Sequence, residues 1–336
     1  NGSLALDCAM SAINLKKGDE VIVTPRSYMA SVSCIINAGA KPIFADIDIN
    51  SHNITSKTIE PKITKKTKAI ICVHIAGYPT DVDKIKKLAN KNKLFLIEDC
   101  SQAHGAKIKD KYVGSFGDIS VWSFCNDKII STGGEGGMIS AKNKKLYNKI
   151  LSLKDCGKNF NKIKNLKNDI GFKWVHDSIG TNMRMTEIQS SLGRIQLKKL
   201  KKMLIIRNIN AKYFFSLIKN TKGLIAPKIP SNIYHSFYRT MILIDLDKIK
   251  KNWNRNKIII NLKKNNIQCS VGSCPEIYRE KYFLNNKLFP KKILANTVLI
   301  GNSCIAFDFN HLVSKKYVKR SAFVLKNILK TAYKND

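Results

Sequence analysis

Several features that would assign this sequence to a special class of protein are missing. No run of apolar residues approaches the roughly 18–20 residues that a membrane-spanning helix requires, and no signal peptide or internal repeat is visible. The nine cysteines contain no Cys-x-x-Cys pair, so neither a metal site nor a dithiol redox site is indicated. Most cysteines stand in apolar surroundings, and we expect a reducing, cytoplasmic location.

Arginine is scarce although the chain is strongly basic. Only 8 of the 59 basic residues are arginine, and the formal net charge of +35 comes from lysines spread over the whole sequence. A polyanion-binding protein is the alternative that this charge raises, but it would require basic residues interleaved with aromatics or a recognition helix. Neither is visible, and the densest lysine runs, 162–167 and 198–202, are expected to be exposed loop or helix faces. We expect no specific nucleic-acid partner and no membrane association.

Strand and helix patterns alternate along roughly the first 150 residues. Apolar runs predict strands at 20–24, 42–45, 69–74, 94–98, 119–124 and 138–140. With helices between them, this pattern is typical of an α/β domain with a mostly parallel sheet flanked by helices. A polar loop at 159–174 interrupts a long helical region, and the composition changes near residue 223. We predict a large domain over residues 1–220 and a smaller C-terminal α+β domain over 221–336.

The chain begins Asn1-Gly2-Ser3 and enters a helical pattern at once. We expect that a further N-terminal segment of the large domain precedes it. Free backbone N–H groups and the helix dipole favour an anion at such a helix start, which makes Gly2 and Ser3 candidates for binding a phosphate. An ordinary helix N-cap would use the same N–H groups.

The most informative segment is 122–137, Trp-Ser-Phe-Cys-Asn-Asp-Lys-Ile-Ile-Ser-Thr-Gly-Gly-Glu-Gly-Gly, which places Lys128 on a turn just beyond a predicted strand. Upstream, Asp99 follows another buried strand in Ile-Glu-Asp-Cys-Ser-Gln-Ala-His-Gly, 97–105. Ligands of such sheets bind outside the carboxyl ends of the strands, so the lysine and the acid are expected in one pocket. These are the two groups that pyridoxal phosphate chemistry requires.

Together with further motifs in the same order, these segments resemble the DegT/DnrJ/EryC1/StrS family of sugar aminotransferases, which are fold-type I pyridoxal phosphate enzymes. The further motifs are Gly-Ala-Lys-Pro-Ile-Phe-Ala-Asp-Ile-Asp (39–48), Val-His-Ile-Ala-Gly-Tyr-Pro-Thr-Asp-Val-Asp (73–83) and Gly-Thr-Asn-Met-Arg-Met-Thr-Glu-Ile-Gln (180–189). The resemblance covers nearly the whole chain. It implies pyridoxal 5'-phosphate as cofactor, an amino-acid donor that we expect to be glutamate, and a nucleotide-linked keto-deoxysugar as acceptor. The product would enter cell-surface polysaccharide or glycoconjugate biosynthesis.

The resemblance also implies roles for individual residues. Lys128 would bond covalently to the cofactor aldehyde and later move the substrate proton, and Asp99 would keep the pyridine nitrogen protonated. The remaining roles are Gln102 at the phenolic oxygen, Tyr28 stacked on the ring, Gly2, Ser3 and Ser123 at the phosphate, and Asn182 reaching the phosphate from the neighbouring subunit of a homodimer. Simpler explanations compete with these roles. Asp99 could be a strand-end acid, Gln102 a polar turn residue and Tyr28 a core aromatic, and Gly2 and Ser3 could form an ordinary helix cap.

Some positions depart from the family pattern or have no assigned role. Cys156 stands where the family commonly has histidine, and the segment 269–278 lacks the family's histidine-rich substrate loop. The roles of His104 and Glu135 stay open, as do the sugar, the nucleotide and the carbon that is aminated. A pyridoxamine-dependent sugar dehydratase of the same family is the alternative enzyme. Those dehydratases replace the lysine with histidine, so Lys128 favours the aminotransferase.

Overall fold

The computed structural model describes residues 1–166 and 170–333. Its strands are β1 (Glu20–Val23), β2 (Lys41–Phe44), β3 (Thr67–Val73), β4 (Phe95–Asp99), β5 (Lys107–Ile108), β6 (Lys111–Tyr112), β7 (Ile119–Ser123), β8 (Gly137–Ala141), β9 (Leu224–Ile225), β10 (Ile233–Tyr234), β11 (Thr240–Ile244), β12 (Cys269–Ser270) and β13 (Cys304–Phe307). Its α-helices are α1 (Gly2–Ala12), α2 (Ala30–Asn37), α3 (Ser56–Ile59), α4 (Val82–Lys91), α5 (Lys144–Leu153), α6 (Phe160–Lys164), α7 (Glu187–Ile218), α8 (Arg255–Lys264), α9 (Lys281–Asn285), α10 (Ala295–Ser303) and α11 (Lys315–Ala332).

The central sheet has six strands in the order β2-β1-β3-β4-β7-β8. All neighbours run parallel except β8, which lies antiparallel to β7 at the edge. Val21, Ile71 and Ile97 are completely buried, because a parallel sheet with helices on both faces hides both sides of each strand. The predicted α/β architecture with a mostly parallel sheet is confirmed.

The two faces of this sheet belong to different apolar cores. On one face, α1, α2 and α5 contribute residues such as Ala9, Ile35 and Ile150 to the cluster around Ile97. On the other face, α4 packs through residues such as Ile85 in a cluster that also contains side chains of β11 and β13. The C-terminal part of the chain therefore packs directly on the central sheet.

The C-terminal part is built on a four-stranded antiparallel sheet with the order β12-β13-β11-β9. Its core joins Phe214 at the end of α7, Phe307 of β13 and Leu325 of α11. Helix α7 ends at Ile218 inside this core. The predicted domain boundary near residue 220 stays a prediction. Residues 334–336 of the predicted second domain lie outside the described part.

The ends of three neighbouring elements place the candidate site residues along one edge of the central sheet. Strands β4 and β7 are parallel, and Asp99 pairs with Val121 in their register, two residues before Ser123. The N-terminus of α1 contacts the end of β7 at Ser123. Helix α2 begins only at Ala30, so Tyr28 lies in the turn that follows β1.

The predicted polar loop at 159–174 contains the short helix α6, and its residues 167–169 lie outside the described part. In the lysine runs, Lys162 and Lys164 are exposed, as are the lysines of 198–202 on α7, whereas Lys167 falls among the residues that are not described. These exposed faces agree with the prediction for both runs. Among the described helices, none is at once long and apolar enough to pass through a membrane.

Candidate active site

Asp99 ends strand β4 and is only 3% exposed. Its Oδ2 accepts a hydrogen bond from Ser31 Oγ at 2.9 Å, and its Oδ1 accepts one from the Ser101 amide at 3.1 Å. The Ser31 hydroxyl lies 2.9 Å from that of Ser27, which precedes Tyr28 in the turn after β1. The acid is thus tied to the turn that carries Tyr28, whose ring is 69% exposed and free to stack on a planar ligand.

The neighbouring acid, Glu98, points to the opposite face of the central sheet, where its hydrogen bonds hold the end of β4 in place. Its carboxylate is completely buried and accepts hydrogen bonds from the Gly114 and Phe116 amides, each at 2.8 Å. His74 Nδ1 accepts from the Thr80 amide, so its Nε2 donates to Glu98 at 3.1 Å. Burial alone would raise the pKa of Glu98, but the bonds from His74 and the amides outweigh it and lower the pKa.

Gly2 opens helix α1 directly against the end of β7. A Cβ atom at Gly2 would lie 2.7 Å from Ser123 Cβ, so only glycine permits this approach. The Asn1 side chain caps the helix by accepting from the Leu4 amide at 2.9 Å. The amides of Gly2 and Ser3 cannot be paired inside the helix. They can therefore donate to an anion beside Ser123, and capping by Asn1 leaves them available. The phosphate-binding role of Gly2 and Ser3 stays a prediction.

Lys128 is not a surface lysine, since its side chain is only 16% exposed. Its Nζ lies 3.0 Å from Asp127 Oδ1 and 3.4 Å from the Tyr238 hydroxyl. Burial lowers the pKa of Lys128, but the nearby Tyr238 and Asp127 outweigh burial and raise it above the ordinary lysine value. The amine is therefore held as an ammonium ion in the cofactor-free protein.

Gln102 and His104 both lie buried in the turn after β4. Gln102 Oε1 accepts from the Ala76 amide at 2.8 Å, and its Nε2 lies 3.4 Å from Ser273 Oγ in the C-terminal part. Neither His104 ring nitrogen has a hydrogen-bond partner of ordinary geometry within the described part of the chain. Burial lowers the pKa of His104 to about 4, although the Ser123 backbone partly opposes the shift. His104 is thus a neutral ring beside Phe124, and its role stays open.

Asn182 lies in the segment that precedes helix α7. It forms a β-bridge with Asp155, and its side-chain oxygen accepts from the Arg184 amide. Glu135 lies exposed in the glycine-rich loop, where its backbone oxygen accepts from Thr132 Oγ1 and Gln189 Nε2. The role of Asn182 at the phosphate of a neighbouring subunit stays a prediction.

Sequence reasoning missed the residues that support the site. Tyr238 and Ser31 reach Lys128 and Asp99 from separate segments, so no local pattern marks them. His74 and Glu98 lie in quoted motifs, but no motif marks the hydrogen bond between them. Asp127 directly precedes Lys128 in the sequence, so its contact with the lysine could have been predicted from their opposite charges.

The described residues fit a phosphorylated, planar cofactor with an aldehyde and a ring nitrogen. The Gly2 and Ser3 amides suit the phosphate, the exposed Tyr28 ring suits the plane, and the buried Asp99 carboxylate suits a protonated nitrogen. The Lys128 amine suits the aldehyde. With a parallel α/β sheet carrying these groups at the ends of its strands, the fold and site define a pyridoxal phosphate enzyme of fold type I.

Residues 1–324 match the DegT/DnrJ/EryC1/StrS aminotransferase family, and the chain belongs to this family. GDP-perosamine synthase from Escherichia coli O157:H7 is 40% identical over 247 residues, which cover 72% of this chain and 63% of that relative. This chain therefore spans less than two thirds of that relative's length. The predicted family, its fold, the aminotransferase class and the family's pyridoxal phosphate cofactor are confirmed.

Solved structures give the same assignment. The aminotransferase from Psychrobacter cryohalolentis is 39% identical, with a TM-score of 0.95 over 99% of this chain and 86% of that one. PseC of Helicobacter pylori, an aminotransferase involved in the biosynthesis of pseudoaminic acid, is 26% identical, with a TM-score of 0.86 over 98% of this chain and 86% of that one.

Proposed function

We propose that the protein transfers an amino group from glutamate to the keto carbon of a nucleotide-linked deoxysugar, for cell-surface polysaccharide or glycoconjugate biosynthesis. The observation that supports it most is the partly buried Lys128 amine just beyond the end of β7, the strand next to the one that ends in Asp99. The similarity to GDP-perosamine synthase supports a sugar-nucleotide acceptor.

Each residue has a separate task in this proposal. Bound pyridoxal phosphate supplies an electron-withdrawing ring that stabilises negative charge at the substrate carbon. Asp99 would hold a proton on the ring nitrogen, and Gln102 would bind the phenolic oxygen. Lys128 would hold the aldehyde and would move the proton of the reacting carbon. Tyr28 supports the ring plane.

The phosphate anchors the cofactor at the start of helix α1. The amides of Gly2 and Ser3 and the Ser123 hydroxyl bind it from one subunit, where the helix dipole favours an anion. Asn182 of a second copy completes the phosphate site in this proposal.

We expect that Lys128→Ala abolishes covalent attachment of pyridoxal phosphate and lowers turnover with glutamate by about 10²–10⁴-fold, the usual contribution of a proton-transferring group. Borohydride reduction of the loaded enzyme followed by peptide mass spectrometry measures the attachment. Lys86→Ala is the matched control, because Lys86 is also a shielded lysine paired with an aspartate, Asp118, at 2.7 Å. Cofactor trapped on another lysine, or retained covalently by the Lys128→Ala variant, would contradict the proposal.

The acceptor is tested with glutamate and a panel of nucleotide-linked keto-sugars, with products analysed by mass spectrometry. Replacement of a carbonyl oxygen by an amino group supports the proposal. Loss of a hydroxyl group without amination would instead indicate the dehydratase.

We further propose that the protein forms a homodimer through the surface around the start of α7. This surface exposes large apolar side chains that a monomer rarely leaves in water. They are Ile170, Phe172, Trp174, Ile179, Ile188, Leu192, Ile195 and Leu197. An apolar cavity of roughly 1000 Å³ between α7 and the β7–β8 edge, lined by residues such as Trp122 and Leu200, continues this surface. Asn182 lies within the same stretch of sequence, so a second copy would bring it near the neighbouring site.

Ile188→Asp is expected to shift the protein to monomers, because a charge replaces an apolar side chain that is 76% exposed in the isolated chain. Sedimentation-velocity ultracentrifugation measures the change in mass. Ile293→Asp is the control, because Ile293 is 83% exposed but lies in the C-terminal part away from this surface. A wild-type monomer at micromolar concentration would overturn the dimer proposal.

We also propose a cytoplasmic location and no specific nucleic-acid partner. All nine cysteines are unpaired, as a reducing compartment would leave them. The sugar nucleotides and glutamate of the proposed reaction are also cytoplasmic metabolites.

A further inference from the structure

We propose that Tyr238 and Asp127 are positioning residues for the Lys128 amine, holding the nitrogen and its proton in place before the cofactor attaches. This inference rests on the proposed role of Lys128. Its basis is a closed set of three polar contacts between the turn after β7 and the segment just before β11. The other candidate clusters, such as the buried His74–Glu98–Cys100 group, already have their hydrogen bonds satisfied within the sheet.

The three groups contact one another in pairs. Lys128 Nζ lies 3.0 Å from Asp127 Oδ1 and 3.4 Å from the Tyr238 hydroxyl. The Tyr238 hydroxyl donates a short hydrogen bond to Asp127 Oδ2. Lys128 Nζ also lies 3.2 Å from Asp127 Oδ2, so the carboxylate and the tyrosine hydroxyl hold the ammonium group from two sides. An ammonium group with two fixed acceptors has far fewer accessible rotamers than a free lysine side chain.

Tyr238 is itself fixed rigidly. The side chain is 6% exposed, and the Arg239 guanidinium lies 4.4 Å from the ring centroid, while Lys128 Nζ lies 5.1 Å from it. Arg239 is held by Asp308 at 3.1 Å, and Arg207 donates to the Phe237 carbonyl at 3.0 Å. The tyrosine therefore cannot turn away from the lysine without breaking a network that belongs to the C-terminal part.

This arrangement has a chemical consequence for Lys128. An amine attacks an aldehyde only in its neutral form, and the adjacent carboxylate favours the ammonium form. The charged and titratable groups around the amine are Asp127, Tyr238, Arg239 and the neutral His104. Arg239 favours deprotonation and Asp127 opposes it, and Asp127 is the closer of the two. The contacts hold the nitrogen in position and keep it unreactive until its proton leaves.

The test measures the reactivity of Lys128 in the full-length protein freed of cofactor. Trace labelling with acetic anhydride at pH 8, followed by digestion and mass spectrometry, gives the modification rate of each lysine. Asp127→Asn is expected to increase the rate at Lys128 by about tenfold, because a carboxylate within 4 Å typically raises a lysine pKa by about one unit or more. Tyr238→Phe is expected to increase it by about threefold, as one lost hydrogen bond permits.

Tyr317→Phe is the matched control, because its hydroxyl accepts from the Gln268 amide far from this site. Its Lys128 labelling should equal that of wild type. Unchanged Lys128 labelling in both the Asp127→Asn and Tyr238→Phe variants, with wild-type circular dichroism, would overturn the inference. Because no cofactor is present, this outcome is independent of the proposed function, which fails instead if the cofactor is trapped on a lysine other than Lys128.

Discussion

Replacement of Asp99 by asparagine is expected to lower the rate of amino transfer from glutamate to the bound cofactor by about 10²–10³-fold, as removal of one preorganised electrostatic partner typically does. The amide cannot hold a proton on the ring nitrogen, so the ring withdraws electrons less strongly. Asparagine keeps the size of the side chain. Its single oxygen can accept from the Ser101 amide, and its amide nitrogen can donate to Ser31 Oγ. Stopped-flow absorbance of the cofactor under single-turnover conditions measures the rate.

Two further variants separate the acid from its surroundings. Ser31→Ala removes one hydrogen bond to Oδ2 and is expected to reduce the rate by about three- to tenfold, the effect of one hydrogen bond. Asp83→Asn is the control for loss of a carboxylate, because Asp83 pairs with the exposed Lys109 and accepts a hydrogen bond from the Lys84 amide. An Asp99→Asn variant that binds cofactor and transfers the amino group within threefold of wild type would refute the proposed role of Asp99.

The inner strands β1, β3, β4 and β7 were predictable because most of their residues are buried on both faces of the sheet. In the run at 69–74 every residue before His74 is apolar. Glycines and polar turns separate such runs, so their positions appear directly in the sequence. The direction of β8 was not predictable, because pairing direction leaves no periodic signal in one strand. The small sheet of β10, β5 and β6 was missed for a related reason, since two-residue strands have no pattern of their own.

The candidate site divides in the same way. Asp99 and Lys128 each follow a strand, so topology alone predicts that they share one edge of the sheet. Tyr238 meets Lys128 across 110 residues of sequence. Only the packing of β11 on the central sheet, which depends on the whole core, brings these two together. Contacts of that kind follow from the folded structure and not from local motifs.

Three buried histidines make the protein sensitive to acid. Burial lowers the pKa of His52 to about 3, that of His104 to about 4 and that of His235 to about 3, from an ordinary value of 6.5. His235 also needs its neutral form, because its Nδ1 accepts from the Phe237 amide at 2.8 Å. Its ring stacks on Phe237 with the centroids 4.0 Å apart. Protonation of such a ring breaks this hydrogen bond and leaves a charge in the core.

The sign of the effect follows from proton uptake. Between pH 6.5 and about 4, the unfolded chain protonates these histidines while the folded chain does not, so stability falls as the pH falls. Asp81 acts in the opposite direction, because burial raises its pKa to about 6 and the folded chain gains that proton first. Near pH 5 the unfolded chain thus binds about two more protons, and the free energy of unfolding should change by about 2–3 kcal/mol per pH unit.

Urea unfolding at pH 7, 6 and 5, followed by circular dichroism, measures this slope. His235→Gln is expected to reduce the slope by about one proton, or roughly 1.4 kcal/mol per pH unit. His176→Gln is the control for replacing an exposed histidine by glutamine. Equal slopes for wild type and His235→Gln would show that His235 titrates alike in both states. A pH-independent cost of placing glutamine in the core lowers the free energy of unfolding equally at pH 7, 6 and 5. It therefore does not change the dependence of that free energy on pH.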